Sequence, residues 1–136
     1  MALRNQDFPA VHMPPIPVQP VGTAFPALDA GHLLRQCLGD SALAGELLAL
    51  FQAQAGLVIA KLRSAALEPD DLARLAHLVK GSAAAIGAMQ VVREATLGET
   101  TLRAKDMVAG ALPAQIALAG TLETACAAIV DYLKTA

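Results

Sequence analysis

Between Ser41 and Leu67, the residues Leu43, Leu47, Leu50, Phe51, Val58, Leu62 and Ala65 recur every three or four positions, the spacing of one helical face. Asp40 and Ser41 can cap the start of that helix. The stretch "EPDD", Glu68 to Asp71, ends it and opens the next, because proline suits a first turn and acids suit the positive end of a helix dipole. This second long helix carries "ARLAHLVKGSAAAIGA", residues 73 to 88, and is expected to stop near Gly87. A third, from Met89 to about Met107, is interrupted by Gly98 and by poorer helix formers: Val91, Val92 and two consecutive threonines. Gly110 and Pro113 mark a turn and a helix start, after which Ile116, Ala119, Leu122, Cys126, Ile129 and Leu133 follow at helical spacing. Ahead of all of them, Asp29 can cap a short helix through Leu33, Leu34 and Cys37 that ends near Gly39. Short links between long amphipathic helices favour antiparallel neighbours. The pattern therefore predicts an all-α fold, an up-and-down antiparallel four-helix bundle with a short extra N-terminal helix.

The first 28 residues break this pattern. Six of the eight prolines lie there, at Pro9, Pro14, Pro15, Pro17, Pro20 and Pro26, and "HMPPIPVQP" can form neither a helix nor a central strand. An extended or disordered tail is expected over residues 1–28, able to lie along the bundle through Phe8, Ile16 and Phe25. Residues 29–136 form the bundle domain.

Composition supports the helical reading. A chain of 136 residues is long enough for one hydrophobic core, and with no Trp, three Phe and one Tyr it is dominated by the good helix formers alanine and leucine. The ten basic residues are spread thinly over a net charge of −2, which argues against nucleic acid. Mean hydropathy is +0.50. Even so, no unbroken apolar run approaches the roughly 18 residues of a spanning helix, and "MALRNQDF" lacks the apolar centre of a signal peptide. Cys37 and Cys126 fall far apart in apolar helical surroundings, which suits two buried free thiols better than a disulfide or a metal pair. A cytoplasmic protein is expected.

The candidate chemistry lies on the second long helix. On a wheel advancing about 100° per residue, Leu72, Leu75, Val79, Ala83 and Ile86 cluster on one side, and His77 points directly away from them. Its outer-face neighbours are Asp70, Ala73, Arg74, Lys80, Gly81, Ala84 and Ala88. An ordinary solvent face carries long polar side chains. This one is trimmed to glycine and alanine beside the histidine, with Arg74 and Lys80 flanking it. Such a shelf lets another protein approach an exposed imidazole closely, and it gives a reason for the helix propensity lost at Gly81. An exposed histidine among the alanines of an alanine-rich chain would look the same on spacing alone. His12 and His32 have no companion Cys, Asp or Glu at metal-ligand spacing, and no metal site is expected.

"AHLVKGSAAAIGA" resembles the signature of the histidine phosphotransfer (HPt) domain: a histidine, two apolar residues, Lys-Gly-Ser, and a Gly-Ala further on. "LGDSALAGELLALF", Leu38 to Phe51, is similar to the family's opening of its long second helix, and Glu99 falls where the family has an acid or amide on the next helix. The resemblance covers Asp29 to the C-terminus. Gly98 stands where a leucine is commoner, a departure from the family's pattern near the boundary of the fourth helix. The resemblance implies that His77 is a phospho-acceptor, carrying a phosphoryl group between the receiver domain of a hybrid histidine kinase and that of a response regulator. It implies that Lys80 meets the phosphoryl charge, that Gly81 leaves room for it, and that Ala73, Arg74, Ser82 and Ala84 border the partner. Ser82 leans towards the core side, so a back-bond to its own helix is as good a reading. Glu99 would either accept a hydrogen bond from the other ring nitrogen, fixing the tautomer, or be a solvated glutamate. No cofactor of the chain's own is implied, Mg²⁺ belonging to the partner receiver.

Three functions remain to be separated. The first is a monomeric phosphocarrier that is not itself an enzyme. Leu78 follows the histidine where many kinase dimerisation helices carry an acid, and no glycine-rich nucleotide loop is present, so self-phosphorylation is not expected. The second is a helical adaptor that binds and sequesters a receiver or kinase without transfer. The third, an enzyme using His77 as acid, base or ligand, lacks a second catalytic side chain nearby.

Overall fold

The computed structural model describes residues 25–103 and 111–135, and every regular element among them is an α-helix. They are α1 (Ala30–Gln36), α2 (Ser41–Ser64), α3 (Pro69–Ile86), α4 (Met89–Arg103) and α5 (Leu112–Thr135). Helices α2 to α5 make the antiparallel four-helix bundle: α3 packs on α4, α4 on α5, and α5 back on α2, while α1 lies against α3 and α2. The tail up to residue 24, the expected end of α4 at Met107 and the turn at Gly110 lie outside the described residues.

Local chemistry sets the boundaries. Asp29 and Asp40 cap α1 and α2, their carboxylates accepting the backbone N–H of His32 and Leu43, each at 3.0 Å. α3 has no side-chain cap and relies on Pro69 and the acids Asp70 and Asp71 in its first turn. It ends at Gly87, whose φ of 90° only glycine adopts without cost. A side chain there has no room either, since a Cβ would sit 2.7 Å from the Asp29 carbonyl oxygen. Around this glycine the incoming chain is pinned: Asp29 N–H donates to Gly87 O at 2.8 Å, and Gln90 N–H donates to Pro26 O at 3.2 Å. Phe25 lies under the Arg93 guanidinium, 5.2 Å from the ring centroid.

α2 stops at Ser64, three residues before the expected Leu67, because Gln115 of α5 takes over its end. The buried Gln115 amide donates to Leu62 O (2.8 Å) and Ala65 O (2.7 Å) and accepts from Leu67 N–H (3.0 Å). One side chain thus satisfies three groups that the helix end would leave unpaired.

The core is built from Leu48, Phe51, Val58, Leu62, Leu72, Val79, Ile86, Val91, Leu118, Leu122 and Ile129, interleaved with buried alanines that let the helices approach closely. Two expected stripes are displaced. In α2 the buried row is Ala44, Leu48, Phe51, Ala55, Val58 and Leu62, while Leu43 and Leu50 are exposed. In α5 it is Gln115, Leu118, Ala119, Leu122, Ala125 and Ile129, while Ile116 and Leu133 are exposed. Both helices are apolar most of the way round, so the neighbouring helices select which row is buried. In α3, Ala76 is buried and Leu75 only half-buried. Ala88, expected on the outer face, is fully buried where the Pro26–Asp29 backbone crosses it. Cys37 and Cys126 are free, but only Cys37 is buried; Cys126 is half-buried.

The apolarity of α2 and α5 has a second consequence. Although neither holds an unbroken apolar run, each is long and apolar enough by composition to cross a membrane. Core helices of a bundle rich in alanine and leucine meet the same criterion.

Candidate functional site

α3 carries His77, Lys80, Gly81 and Ala84 on its outer face, and α4, packed along its side, brings Glu99 to them. The His77 side chain is 72% exposed and the Glu99 side chain 6%. His77 Nδ1 lies 3.1 Å from Glu99 Oε2. A carboxylate can only accept, so Nδ1 carries the proton and donates it. The lone pair of the neutral ring is therefore on Nε2, at the far end of the imidazole from Glu99.

The second oxygen of the same carboxylate is used as well. Lys80 Nζ, on the turn after His77, lies 2.5 Å from Glu99 Oε1. The Lys80 ammonium holds the Glu99 carboxyl below its ordinary value of 4.5, burial pushes it the other way, and the His77 hydrogen bond adds to the lowering. A buried anion paired on both oxygens is thus the base on which the exposed imidazole stands.

The rest of the face is small. Gly81 and Ala84 are exposed, Ala73 half-buried, and a Cβ on Gly81 would meet no atom within 4 Å. The fold itself does not require that glycine. Arg74 turns aside to Asp71, 3.0 Å away on the exposed surface, and is not joined to the histidine. Ser82 faces the furrow between α2 and α3, which Leu47, Leu50, Phe51 and Gln54 line from the other side. The furrow continues past Leu57, Leu75 and Leu78. Leu50, Leu57 and Leu78 are 67%, 74% and 49% exposed, so an apolar strip runs beside the imidazole.

A ring nitrogen with a free lone pair on an open shelf, with a cation one turn away, can react chemically with a group brought by another molecule. The Hpt domain family model matches residues 46–132, well over half of the chain, with His77 inside the match. The chain belongs to the Hpt domain family. No curated protein and no solved structure matches it. Hpt domains serve histidine phosphotransfer in phosphorelays and interact there with receiver domains; they are phosphocarriers without a kinase domain. The all-helical bundle agrees with that membership.

Two features of this Hpt domain were out of reach of the sequence reading. The Lys80–Glu99 pair joins residues 19 positions apart on different helices, and the wheel of α3 shows only that Lys80 is near His77. His32, set aside as a residue without a role, has its Nε2 2.7 Å from the Ala84 carbonyl oxygen and ties α1 to the end of the helix that carries the site. Among the described residues no group of three His, Cys, Asp or Glu side chains is placed to hold a metal.

Proposed function

We propose that this Hpt domain is a phosphocarrier in a multistep relay, accepting a phosphoryl group on His77 Nε2 from the phospho-aspartate of a hybrid kinase receiver and passing it to a response-regulator receiver. The observation that carries the reading is the Nδ1–H to Glu99 hydrogen bond beneath a 72% exposed ring. It leaves one nitrogen nucleophilic and directs that nitrogen away from the bundle.

In the forward step the Nε2 lone pair attacks phosphorus in line, the P–N bond forms, and the P–O bond to the aspartate breaks, returning a carboxylate to the donor. Nδ1 keeps its proton, so the ring becomes cationic as it gains the phosphoryl group, and Glu99 stabilises that cation. Lys80 meets the phosphoryl oxygens as a mobile point charge. The reverse step on a second aspartate runs through the same groups. Mg²⁺ on the partner receiver would neutralise the phosphoryl oxygens during transfer. Gly81 and Ala84 allow the receiver to approach, and the apolar strip of Leu50, Leu57 and Leu78 offers it docking area. This face suits a one-to-one encounter of a monomer, in the cytoplasm where receivers reside.

The test is transfer from a panel of phosphorylated receiver domains. Acid-labile label on the wild type and none on His77→Gln is the expected result. Tight binding of a receiver with no label in either protein would favour the sequestering adaptor instead. His77→Gln itself should melt within about 0.5 kcal/mol of the wild type, as surface substitutions do.

A further inference from the structure

Glu99 is bonded to both His77 and Lys80 through different oxygens: Oε2 to the His77 ring at 3.1 Å and Oε1 to the Lys80 ammonium at 2.5 Å. In the unphosphorylated protein the lysine is therefore not waiting in the open for a phosphoryl group. It is stored against a carboxylate that is itself almost wholly buried. Withdrawing a cation from a buried carboxylate is unfavourable, and less so where another positive charge arrives beside the same carboxylate.

Phosphorylation provides one. When Nε2 takes the phosphoryl group and Nδ1 keeps its proton, the ring gains a positive charge on the side that already touches Glu99. At the same moment a group of charge about −2 appears at the other end of the ring. Lys80 comes from the turn after His77, its side chain is 32% exposed, and its four-carbon stem lets it swing.

We propose that phosphorylation of His77 exchanges partners across the site: Lys80 leaves Glu99 for the phosphoryl oxygens, and the imidazolium replaces it as the cation paired with Glu99. Glu99 is then a positioning residue with two tasks, orienting the ring and holding Lys80 in reserve. The exchange rests on His77 being the phospho-acceptor, and it extends that reading by making the lysine a reporter of the phosphorylation state. Each form of the site has its charges matched, so the phosphoryl group can arrive and leave without stranding a buried ion.

The experiment uses the full chain labelled with ¹⁵N-lysine, which has four lysines, and potassium phosphoramidate as a donor that needs no receiver. Nε2 attacks phosphorus, the P–N bond of the donor breaks, and ammonia leaves. Before reaction one Nζ signal, protected from exchange by Glu99, is expected, assigned by its loss in Lys80→Gln. After reaction that signal should shift and acquire a coupling to ³¹P. In Glu99→Gln the protected signal should be absent at rest and appear on phosphorylation. A ³¹P spectrum showing phosphohistidine while the Lys80 signal stays unshifted and uncoupled would overturn the exchange and leave the acceptor role of His77 standing. A protected Lys80 signal in resting Glu99→Gln, or none in its phosphorylated form, would overturn it equally. Failure of His77 to take any phosphoryl group would remove the acceptor reading and the exchange together.

Discussion

Gly81 is where the needs of the fold can be separated from those of the proposed partner. A Cβ at this position would meet no atom within 4 Å, and the residue is exposed in the interior of α3. Replacing it with alanine removes the helix penalty of a mid-helix glycine, about 1 kcal/mol, without introducing a contact. In a domain near 100 residues that raises Tm by roughly 4–8 °C. Gly81→Gln should gain somewhat less, glutamine being slightly poorer than alanine in a helix. The added side chain, however, stands on the shelf beside His77 that a receiver would cover in the proposed transfer. Crowding a close-packed contact costs about 1–3 kcal/mol, a factor of roughly 5 to 150 in transfer efficiency. Phosphoramidate is small enough to avoid the obstruction. The expected outcome for Gly81→Gln is therefore a higher Tm in a circular-dichroism melt, wild-type labelling by phosphoramidate, and slowed single-turnover transfer from a phosphorylated receiver. A variant that melts below the wild type would refute the claim that the fold has no use for this glycine. Unchanged transfer from receivers would refute the claim that a partner does.

Three further predictions concern the frame of the site. Gly87→Ala should behave in the opposite way to Gly81: a positive φ and a Cβ 2.7 Å from the Asp29 carbonyl oxygen combine left-handed strain with loss of the Asp29–Gly87 hydrogen bond, about 2–4 kcal/mol in a denaturant titration. Gln115→Leu should cost about 2–4 kcal/mol by the same measurement, because it strands the carbonyls of Leu62 and Ala65 and the Leu67 N–H. Glu99 gives a pH dependence of definite sign. Its carboxyl is held below 4.5 in the folded protein, so as pH falls the unfolded chain takes up the proton first. Its contribution is fully present above the unfolded value and is lost as pH drops through the lower folded value. Acid titrations of stability should therefore be steeper below about pH 4.5 in the wild type than in Glu99→Gln, and parallel curves would show that the Lys80 pair adds nothing.

The helices and the exposed histidine on α3 were legible in the sequence because both depend on local chemistry. Asp29, Asp40, Pro69 and Gly87 act within a turn of where they stand, and they start or stop helices wherever the rest of the chain goes. Likewise, Val79, Ala83 and Ile86 recur on one side of α3, which is enough to turn His77, Lys80 and Gly81 outward. What the sequence left undetermined is relational. In α2, two apolar rows one residue apart, through Leu43 and Leu50 or through Ala44 and Leu48, are equally helical. Only packing against α3 and α5 decides between them, since side-chain volume and not hydrophobicity alone must fit the bundle. The role of Gln115 is invisible in the pattern for the same reason: a polar residue in an apolar row becomes comprehensible only beside the open end of another helix. Glu99 is the clearest case. The sequence placed it on the helix after His77, but the register of α4 against α3 is what buries it, sets one oxygen on His77 and the other on Lys80, and so turns three separate side chains into one electrostatic unit.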